Sequence, residues 1–186
     1  MTHPAFFGYG SLVNLATHAY PDPRPARLRG WRRVWRGTAL RKLAYLSVTP
    51  DPDTVLQGIV ATVPHGDWAA LDLREAAYRR HDVSHQIDSG PAAPSTAVYQ
   101  VEPAHLEADA RHPILLSYLD VVVQGYLRVF GEDGVAHFFA TTDGWDNPIL
   151  NDRDAPQYPR HQQLTPDERA QVDEHVAKTG ARIARA

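Results

Sequence analysis

Cysteine is absent from this chain of 186 residues. Without a thiol, neither a disulfide, a thiolate nucleophile nor a cysteine-ligated zinc site is available to the protein. The sequence also lacks any run approaching the ~20 apolar residues of a membrane-spanning helix. It does not open on a basic stretch followed by an apolar segment. We therefore expect a soluble, cytoplasmic protein.

An excess of positive charge is missing as well. The chain carries 19 basic and 22 acidic residues, a formal net charge of −3. Such a balance provides no general attraction to a polyanion. Six arginines cluster between Arg24 and Arg36, but they alternate with apolar residues such as Trp31 and Trp35, which is typical of the polar face of paired strands. We expect neither nucleic acid nor a membrane to be a partner.

The length and the 43% of hydrophobic residues suit one sizeable core, so we predict a single domain over residues 1–186. After an opening strand, the proline-rich segment from Asn14 to Arg27 is expected to be irregular. Apolar, β-branched runs then predict an antiparallel meander with a turn at Pro50 to Asp53. The predicted strands cover residues 28–36, 43–48, 55–63, 83–87 and 96–101.

Three helices are predicted, mostly in the later part of the chain. The first covers residues 68–80, with Asp67 as its N-cap. The second starts at Pro113 and stops near Gly131. The third starts with a capping box from Thr165 to Glu168 and continues close to the C-terminus. Strands that come first and helices that come late indicate an α+β fold.

The opening strand runs into a turn that contains two glycines and a serine. The aromatic residues Phe6 and Phe7 precede Gly8, Gly10 and Ser11. Glycine lets a ligand approach the main chain closely, and successive backbone N–H groups in such a bend form a concave anion site. A corner that only redirects the chain uses glycine in the same way. The turn is therefore either a plain connection or a binding loop for a group such as a carboxylate.

Glu75 falls on an unexpected face of the first predicted helix. At about 100° per residue, Leu71, Glu75 and Tyr78 all lie within roughly 80° of Trp68, so the carboxylate shares the apolar stripe. Loss of hydration should raise the pKa of this carboxyl, so that it both takes and gives a proton near neutral pH. Alternatively, Glu75 is the structural ion-pair partner of a neighbouring arginine.

Three separated segments resemble motifs of the γ-glutamylcyclotransferase family. The turn from Phe7 to Leu12 is similar to the family's glycine-rich substrate loop, a strand that ends in Tyr-Gly-Ser. The segment from Leu71 to Tyr78 resembles its Leu-Asp-x-Arg-Glu helix, in which the glutamate is the catalytic acid/base. Ser117 and Tyr118, followed by Gly125, resemble a family segment in which a tyrosine lies near the substrate.

The resemblance implies a compact α+β domain, a mixed and partly closed β-barrel with flanking helices, that uses no cofactor. The implied reaction is an intramolecular aminolysis. The α-amine of a γ-glutamyl group attacks the side-chain carbonyl of the same group and releases 5-oxoproline together with the attached amine. The implied partner is therefore a small γ-glutamyl compound.

The resemblance also assigns roles to residues. Glu75 would be the general acid/base. Tyr118 would hydrogen-bond the substrate or close the pocket, although a core tyrosine at this position would look the same in the sequence. The substrate carboxylate or the developing oxyanion would be bound by the backbone N–H groups of four residues, namely Tyr9, Gly10, Ser11 and Leu12.

Other interpretations stay open. The ten histidines invite a metal site, but none pairs at i, i+4 beside a glutamate as in zinc hydrolases, so no metal is predicted. Asp152 and Asp154 near His161 either collect a hard cation or form an exposed acidic turn. A non-catalytic binding module and a cyclotransferase for γ-glutamylamines are the alternative functions. The segment 36–41 does not match the polar segment usual in the glutathione-directed branch, and no role is assigned to residues 158–160.

Overall fold

The computed structural model describes residues 3–88, 95–107 and 110–185, which form two sheets and three helices. The helices are α1 (Ala69–Arg74), α2 (Leu116–Ala140) and α3 (Pro166–Thr179). The strands are β1 (Ala5–Gly8), β2 (Arg24–Thr38), β3 (Arg41–Thr62), β4 (Tyr78–Asp82), β5 (Ile87–Asp88), β6 (Thr96–Val101), β7 (Ile114–Leu115), β8 (Thr142–Asp143), β9 (Ile149–Asn151) and β10 (Ile183–Arg185).

The larger sheet is mixed and curls into half a barrel. Its strand order is β4-β6-β1-β3-β2-β5, with β8 added beside β2. Strand β1 lies antiparallel to β3 and parallel to β6, so it sits between two neighbours in the middle of the sheet. The smaller sheet consists of β10, β9 and β7, which are all parallel. The α+β fold with a partly closed barrel is therefore confirmed, although the order differs from that of a simple meander.

Strands β2 and β3 form one long hairpin. The turn predicted at Pro50 to Asp53 does not divide β3 but forms a bulge within it, because Arg29 pairs with Val55 and Trp31 pairs with Pro50. The side chain of Asp51 accepts hydrogen bonds from Asp53 N and Thr54 Oγ1, at 3.1 and 2.6 Å. Residues 51–54 thus make the side-chain hydrogen bonds of a turn. Pairing on both sides of the bulge keeps the strand continuous.

Helix α1 is much shorter than the prediction for residues 68–80. Glu75 leaves the helical conformation (φ −102°, ψ 34°), and the chain from Tyr78 onward pairs with β6. The hydrogen bonds of the sheet override the helical pattern here. The N-cap predicted at Asp67 is wrong by one residue, because Trp68 is the N-cap and its side chain makes no capping hydrogen bond. The Asp67 carboxylate lies just before it and accepts a hydrogen bond from Ala69 N at 3.0 Å. The strand predicted at 83–87 is also wrong, since residues 83–86 form a turn between β4 and β5.

Helix α2 begins three residues later than predicted. Pro113 lies outside the helix because Ile114 and Leu115 form β7 beside β9. The carboxylate of Asp152 caps the helix from a distance, since it accepts hydrogen bonds from Ser117 N at 2.8 Å and from Ser117 Oγ at 2.6 Å. Gly131 interrupts the helix with a positive φ of 71°, at the predicted stop, and the chain then resumes helical structure to Ala140.

Helix α3 starts as predicted. Thr165 Oγ1 accepts a hydrogen bond from Glu168 N at 3.2 Å, and the Glu168 carboxylate accepts one from Thr165 N at 2.9 Å. The helix ends at Thr179, and Gly180 follows in the left-handed conformation (φ 72°). Strand β10 then completes the smaller sheet. Among the described residues, no helix is long and apolar enough to cross a membrane.

Candidate active site

The glycine turn that follows β1 is fastened to helix α2. Residues Ser11–Val13 make one tight 3₁₀ turn, closed by a 2.9 Å hydrogen bond from Val13 N to Gly10 O. The side-chain amide of Asn14 then donates to Val121 O and to Gln124 Oε1, both at 2.9 Å. The helix comes so close at Gly125 that a Cβ there would lie 2.6 Å from Asn14 N. The turn is therefore held rigidly from behind.

A buried arginine lies beneath the turn. Arg33 is fully buried, and its Nε donates a 3.0 Å hydrogen bond to Tyr9 O, which also accepts one from the Tyr126 hydroxyl at 3.0 Å. Among the described residues, no carboxylate pairs with this guanidinium. The peptide is planar and trans, so the N–H of Gly10 points away from Arg33. The cation below favours an anion at this N–H.

The sequence pattern did not predict this burial. It placed Arg33 with the other arginines on a polar face of β2. Arg27 and Arg29 are indeed exposed, but the register shift between Arg29 and Trp31 reverses the alternation, so that Arg33 points inward. Between these two pairs one residue of β2 lies opposite four residues of β3, and such an odd difference moves the following side chains to the opposite face.

Glu75 enters the site from the turn after α1. Its side chain is 16% exposed, and its Oε1 lies 3.2 Å from Nε of Arg74. Burial raises the pKa of the carboxyl above its ordinary value, and the charges of Arg74 and Arg160 offset part of this rise. The pKa of Glu75 is therefore shifted upward, as the sequence predicted. The ion pair proposed as the alternative is also found, and one residue combines both properties.

Arg74 links the glutamate to the glycine turn. Its side chain is only 8% exposed. It donates to Thr17 O at 3.0 Å, to Thr17 Oγ1 at 3.3 Å and to Ser11 Oγ at 3.4 Å. The guanidinium of Arg74 therefore has its hydrogen-bond acceptors within the protein. These hydrogen bonds fix the position of Glu75 relative to Ser11.

Tyrosines surround the carboxylate. Burial raises the pKa of Tyr9, Tyr78 and Tyr99 above that of a free phenol, so the hydroxyls keep their protons at neutral pH. Each has a fixed acceptor. Tyr9 donates to Tyr99 O at 2.6 Å, Tyr78 to Leu46 O at 3.0 Å, and Tyr99 to the Asp72 carboxylate at 2.6 Å. These three residues build the wall of the site.

Tyr118 reaches the glycine turn from helix α2. A Cβ on Gly10 would lie 2.7 Å from the Tyr118 hydroxyl, so only glycine allows this approach. Burial raises the pKa of Tyr118, and a hydrogen bond with the Ser11 backbone offsets part of the rise. Its ring packs edge-on against Tyr158 at 5.0 Å. The hydroxyl therefore lies beside the backbone groups predicted to bind an anion.

The predicted site residues line two adjoining cavities. The larger has a volume of about 250 Å³, and both include Ser11, Glu75 and Tyr118. Tyr9, Gly10 and Leu12 line the smaller one. All six residues are thus brought together, from a turn, the end of α1 and helix α2. Among the described residues, no group of three His, Asp or Glu side chains is arranged to hold a metal ion.

Sequence reasoning missed several residues of the larger cavity. Arg41 comes from the start of β3, and Arg160 from the segment before α3. Tyr158 and Pro159 line the cavity too, so residues 158–160, which had no assigned role, form one side of it. Asp152, considered as a cation ligand, is buried and caps α2 instead. The only sign of this part of the cavity in the sequence was an arginine, Arg160, in a segment to which no role was assigned.

Comparison with solved structures identifies the fold. No protein-family model and no curated protein sequence matches the chain. A γ-glutamyl cyclotransferase superposes with a TM-score of 0.58 and 12% identity, covering 91% of this chain and 98% of that protein. The uncharacterized protein loc79017 from Homo sapiens superposes with a TM-score of 0.59 and 13% identity, covering 91% and 97%.

YkqA from Bacillus subtilis superposes with a TM-score of 0.57 and 20% identity over 75% of this chain. The chain spans 55% of the length of YkqA. At these identities the likeness concerns the backbone and its topology. The curled mixed sheet and its helices match structures whose sequences have diverged widely. The chain has the γ-glutamyl cyclotransferase-like fold.

Proposed function

We propose that this protein is a γ-glutamylcyclotransferase that releases 5-oxoproline from a small γ-glutamyl compound. The proposal rests on one observation. A nearly buried carboxylate, Glu75, shares a cavity with the backbone of the glycine turn, and burial raises its pKa. A fold shared with a γ-glutamyl cyclotransferase supports the same reaction class.

In the proposed reaction the α-nitrogen of the γ-glutamyl group attacks the δ-carbonyl carbon. A carbon–nitrogen bond forms within a five-membered ring, and the bond from that carbon to the leaving nitrogen breaks. Two protons pass from the attacking nitrogen to the leaving nitrogen, and no water is consumed. Nucleophile and electrophile belong to one molecule, so the enzyme needs only to hold a reactive geometry and move protons.

Glu75 is the group proposed to move them. In its ionised form it accepts a proton from the α-ammonium group, and as a neutral acid it gives a proton to the leaving nitrogen. A raised pKa makes the carboxylate of Glu75 a stronger base in the first step and keeps more of the neutral acid available for the second step than in an ordinary glutamate. Arg74 keeps the carboxylate oriented through their 3.2 Å contact.

The glycine turn is proposed to bind the negative charge of the substrate. Residues Tyr9 to Leu12 line the smaller cavity next to Glu75, their backbone N–H groups are the proposed donors, and the buried charge of Arg33 lies behind the Tyr9 carbonyl. Tyr118, whose proton is retained because of its raised pKa, is proposed to donate a hydrogen bond to the same group. Both donors are in place before the substrate binds, which reduces the cost of reorganisation.

The test is direct. The purified protein is incubated with γ-glutamyl dipeptides, glutathione and γ-glutamylamines, with and without a chelator, and 5-oxoproline is measured by mass spectrometry. We expect chelator-resistant product that disappears with Glu75→Gln and persists with Glu174→Gln, which changes an exposed glutamate on α3. An active Glu75→Gln variant would refute the assigned role. Binding without product from any compound would favour a non-catalytic binding module instead.

A further inference from the structure

Two arginines of the larger cavity form no ion pair with the described part of the chain. Arg41 and Arg160 line the cavity and are both exposed. Arg74, in contrast, is engaged with Glu75 and Thr17. The larger cavity thus has three guanidinium groups against one carboxylate, and two of the three are available to a ligand.

The segment that carries Arg160 is built into the protein. Tyr158 N donates to Ser117 Oγ at 3.3 Å, and Gln157 N donates to the Asp152 carboxylate at 2.8 Å. The Tyr158 ring packs against Tyr118, and His161 N donates to Tyr158 O at 3.1 Å. Arg160 therefore extends from an anchored backbone, and its charge is near enough to influence Glu75.

The cavity contains two separate places for an anion. One is the backbone of the glycine turn, which lines the smaller cavity, and the other is the part of the larger cavity lined by Arg41 and Arg160. Guanidinium groups bind carboxylates through paired, charge-assisted hydrogen bonds. A γ-glutamylamine with an uncharged amine side has one carboxylate, on the γ-glutamyl group. A γ-glutamyl amino acid or peptide has a second carboxylate on the part that leaves.

On the basis of the function proposed above, we propose that Arg41 and Arg160 bind a carboxylate on the leaving group. The substrate is then a γ-glutamyl amino acid or short peptide with a free terminal carboxylate, and these arginines determine the specificity. Such a dipeptide carries a net charge of −1 at neutral pH. An excess of positive charge in the cavity attracts it, whereas a neutral amide receives no such attraction.

The experiment compares γ-glutamylalanine with γ-glutamylalanine amide, which differ only at the terminal carboxylate. Wild type, Arg41→Gln, Arg160→Gln, Arg160→Lys and the control Arg27→Gln are assayed on both compounds. Arg27 is an exposed arginine of β2 that does not line the cavity. Thermal unfolding verifies that each variant is folded.

We expect each glutamine variant to lower kcat/KM about tenfold more for the acid than for the amide, mainly through KM. Any change that Arg160→Gln causes through the pKa of Glu75 is shared by both compounds and cancels in this ratio. Arg160→Lys should fall between wild type and Arg160→Gln, because lysine keeps the charge without the paired geometry. Arg27→Gln should match wild type. Comparing variants on one compound removes the difference in intrinsic reactivity between the two leaving amines.

Equal losses on the acid and the amide would overturn the proposal, because the arginines would then bind the γ-glutamyl part. No loss on either compound would overturn it too. Absence of 5-oxoproline from both compounds with wild type would instead refute the cyclotransferase reaction. In that event calorimetry still tests the arginine site, since the acid is expected to bind about tenfold tighter than the amide, and equal affinities would contradict this.

Discussion

The two sides of the cavity differ in the burial and pairing of their charged side chains. On the inner side, formed by the glycine turn, Arg33, Arg74 and Glu75, the charged groups are nearly buried and make hydrogen bonds or ion pairs within the protein. On the outer side, Arg41 and Arg160 are exposed and form no ion pair with a described residue. The proposed chemistry needs fixed groups, and the proposed selectivity needs groups that are free to meet a ligand. The proposed chemistry therefore belongs to the inner side of the cavity and the proposed selectivity to the outer side.

The largest effect is expected from removing the charge of the inner side. Glu75→Gln should lower kcat about 10²- to 10⁴-fold, because general acid/base catalysis contributes about that much. KM should stay close to that of wild type, since the amide keeps the shape of the carboxyl. Steady-state kinetics with a γ-glutamyl dipeptide provide the measurement. A large rise in KM with kcat intact would mean that Glu75 binds substrate and does not transfer protons.

A smaller effect is expected when the glycine turn is blocked. In Gly10→Val the new side chain meets the Tyr118 hydroxyl, which lies 2.7 Å from the position of a Cβ. If relief of a strain of ~1–3 kcal/mol displaces the turn from its binding position, a binding loss of the same size corresponds to an increase in KM of roughly five- to 150-fold. In the double variant Gly10→Val, Tyr118→Phe, removal of the hydroxyl should recover part of the loss. An unchanged KM in the single variant would exclude the turn from the binding site.

Loosening the support of the turn should have a still smaller effect. Tyr126→Phe removes a 3.0 Å hydrogen bond to Tyr9 O and one partner of the buried Arg33. We expect a loss of about 1–3 kcal/mol in the free energy of unfolding and a modest rise in KM. Phe138→Leu changes the packing against the same guanidinium without reaching Tyr9, so it should lower stability only. Equal KM changes in both variants would show that only general packing matters.

The smallest effect concerns stability and pH. Glu75 has a raised pKa in the folded protein, so the folded state holds its proton more tightly than the unfolded chain does. This residue therefore stabilises the fold relatively well below its unfolded pKa, and that contribution is lost as the pH rises through the folded pKa. Glu75→Gln has no such titration.

The melting temperature of Glu75→Gln, relative to wild type, should accordingly increase from pH 4 to pH 8. Thermal unfolding followed by circular dichroism gives the difference at each pH. Glu174→Gln provides the matched exposed control. A relative melting temperature that falls with pH would mean that the ion pair with Arg74 outweighs burial.

Local signals in the sequence predicted the glycine turn of the inner side and several elements elsewhere in the fold. The capping box at Thr165, the β1 strand and the glycine turn are each encoded within a few residues. Glu75 was predicted to be buried for a reason that the structure corrects. The carboxylate is buried because the helix ends and the turn after it faces the cavity, and not because it lies on a long apolar stripe. The α+β class followed from the order of elements.

The outer side and the buried Arg33 of the inner side could not be predicted, because their positions depend on contacts between residues far apart in sequence. Arg160 reaches the cavity because Asp152 and Ser117 anchor its segment to the start of α2. The inward orientation of Arg33 depends on a register shift that separates two pairing frames of β2 and β3. Neither relation leaves a trace in periodicity or composition, since both are set by contacts between distant strands and helices.

The distance along the chain between the two sides has a consequence for biosynthesis. Glycine turn and glutamate lie within the first 75 residues, whereas the cap of α2 comes from Asp152 and the outer arginine from position 160. Strand β10, which pairs with β9 directly before Asp152, emerges from the ribosome later still. A nascent chain therefore carries the proposed proton-transfer group 85 residues before Arg160, the residue proposed to bind the leaving group, has been synthesised.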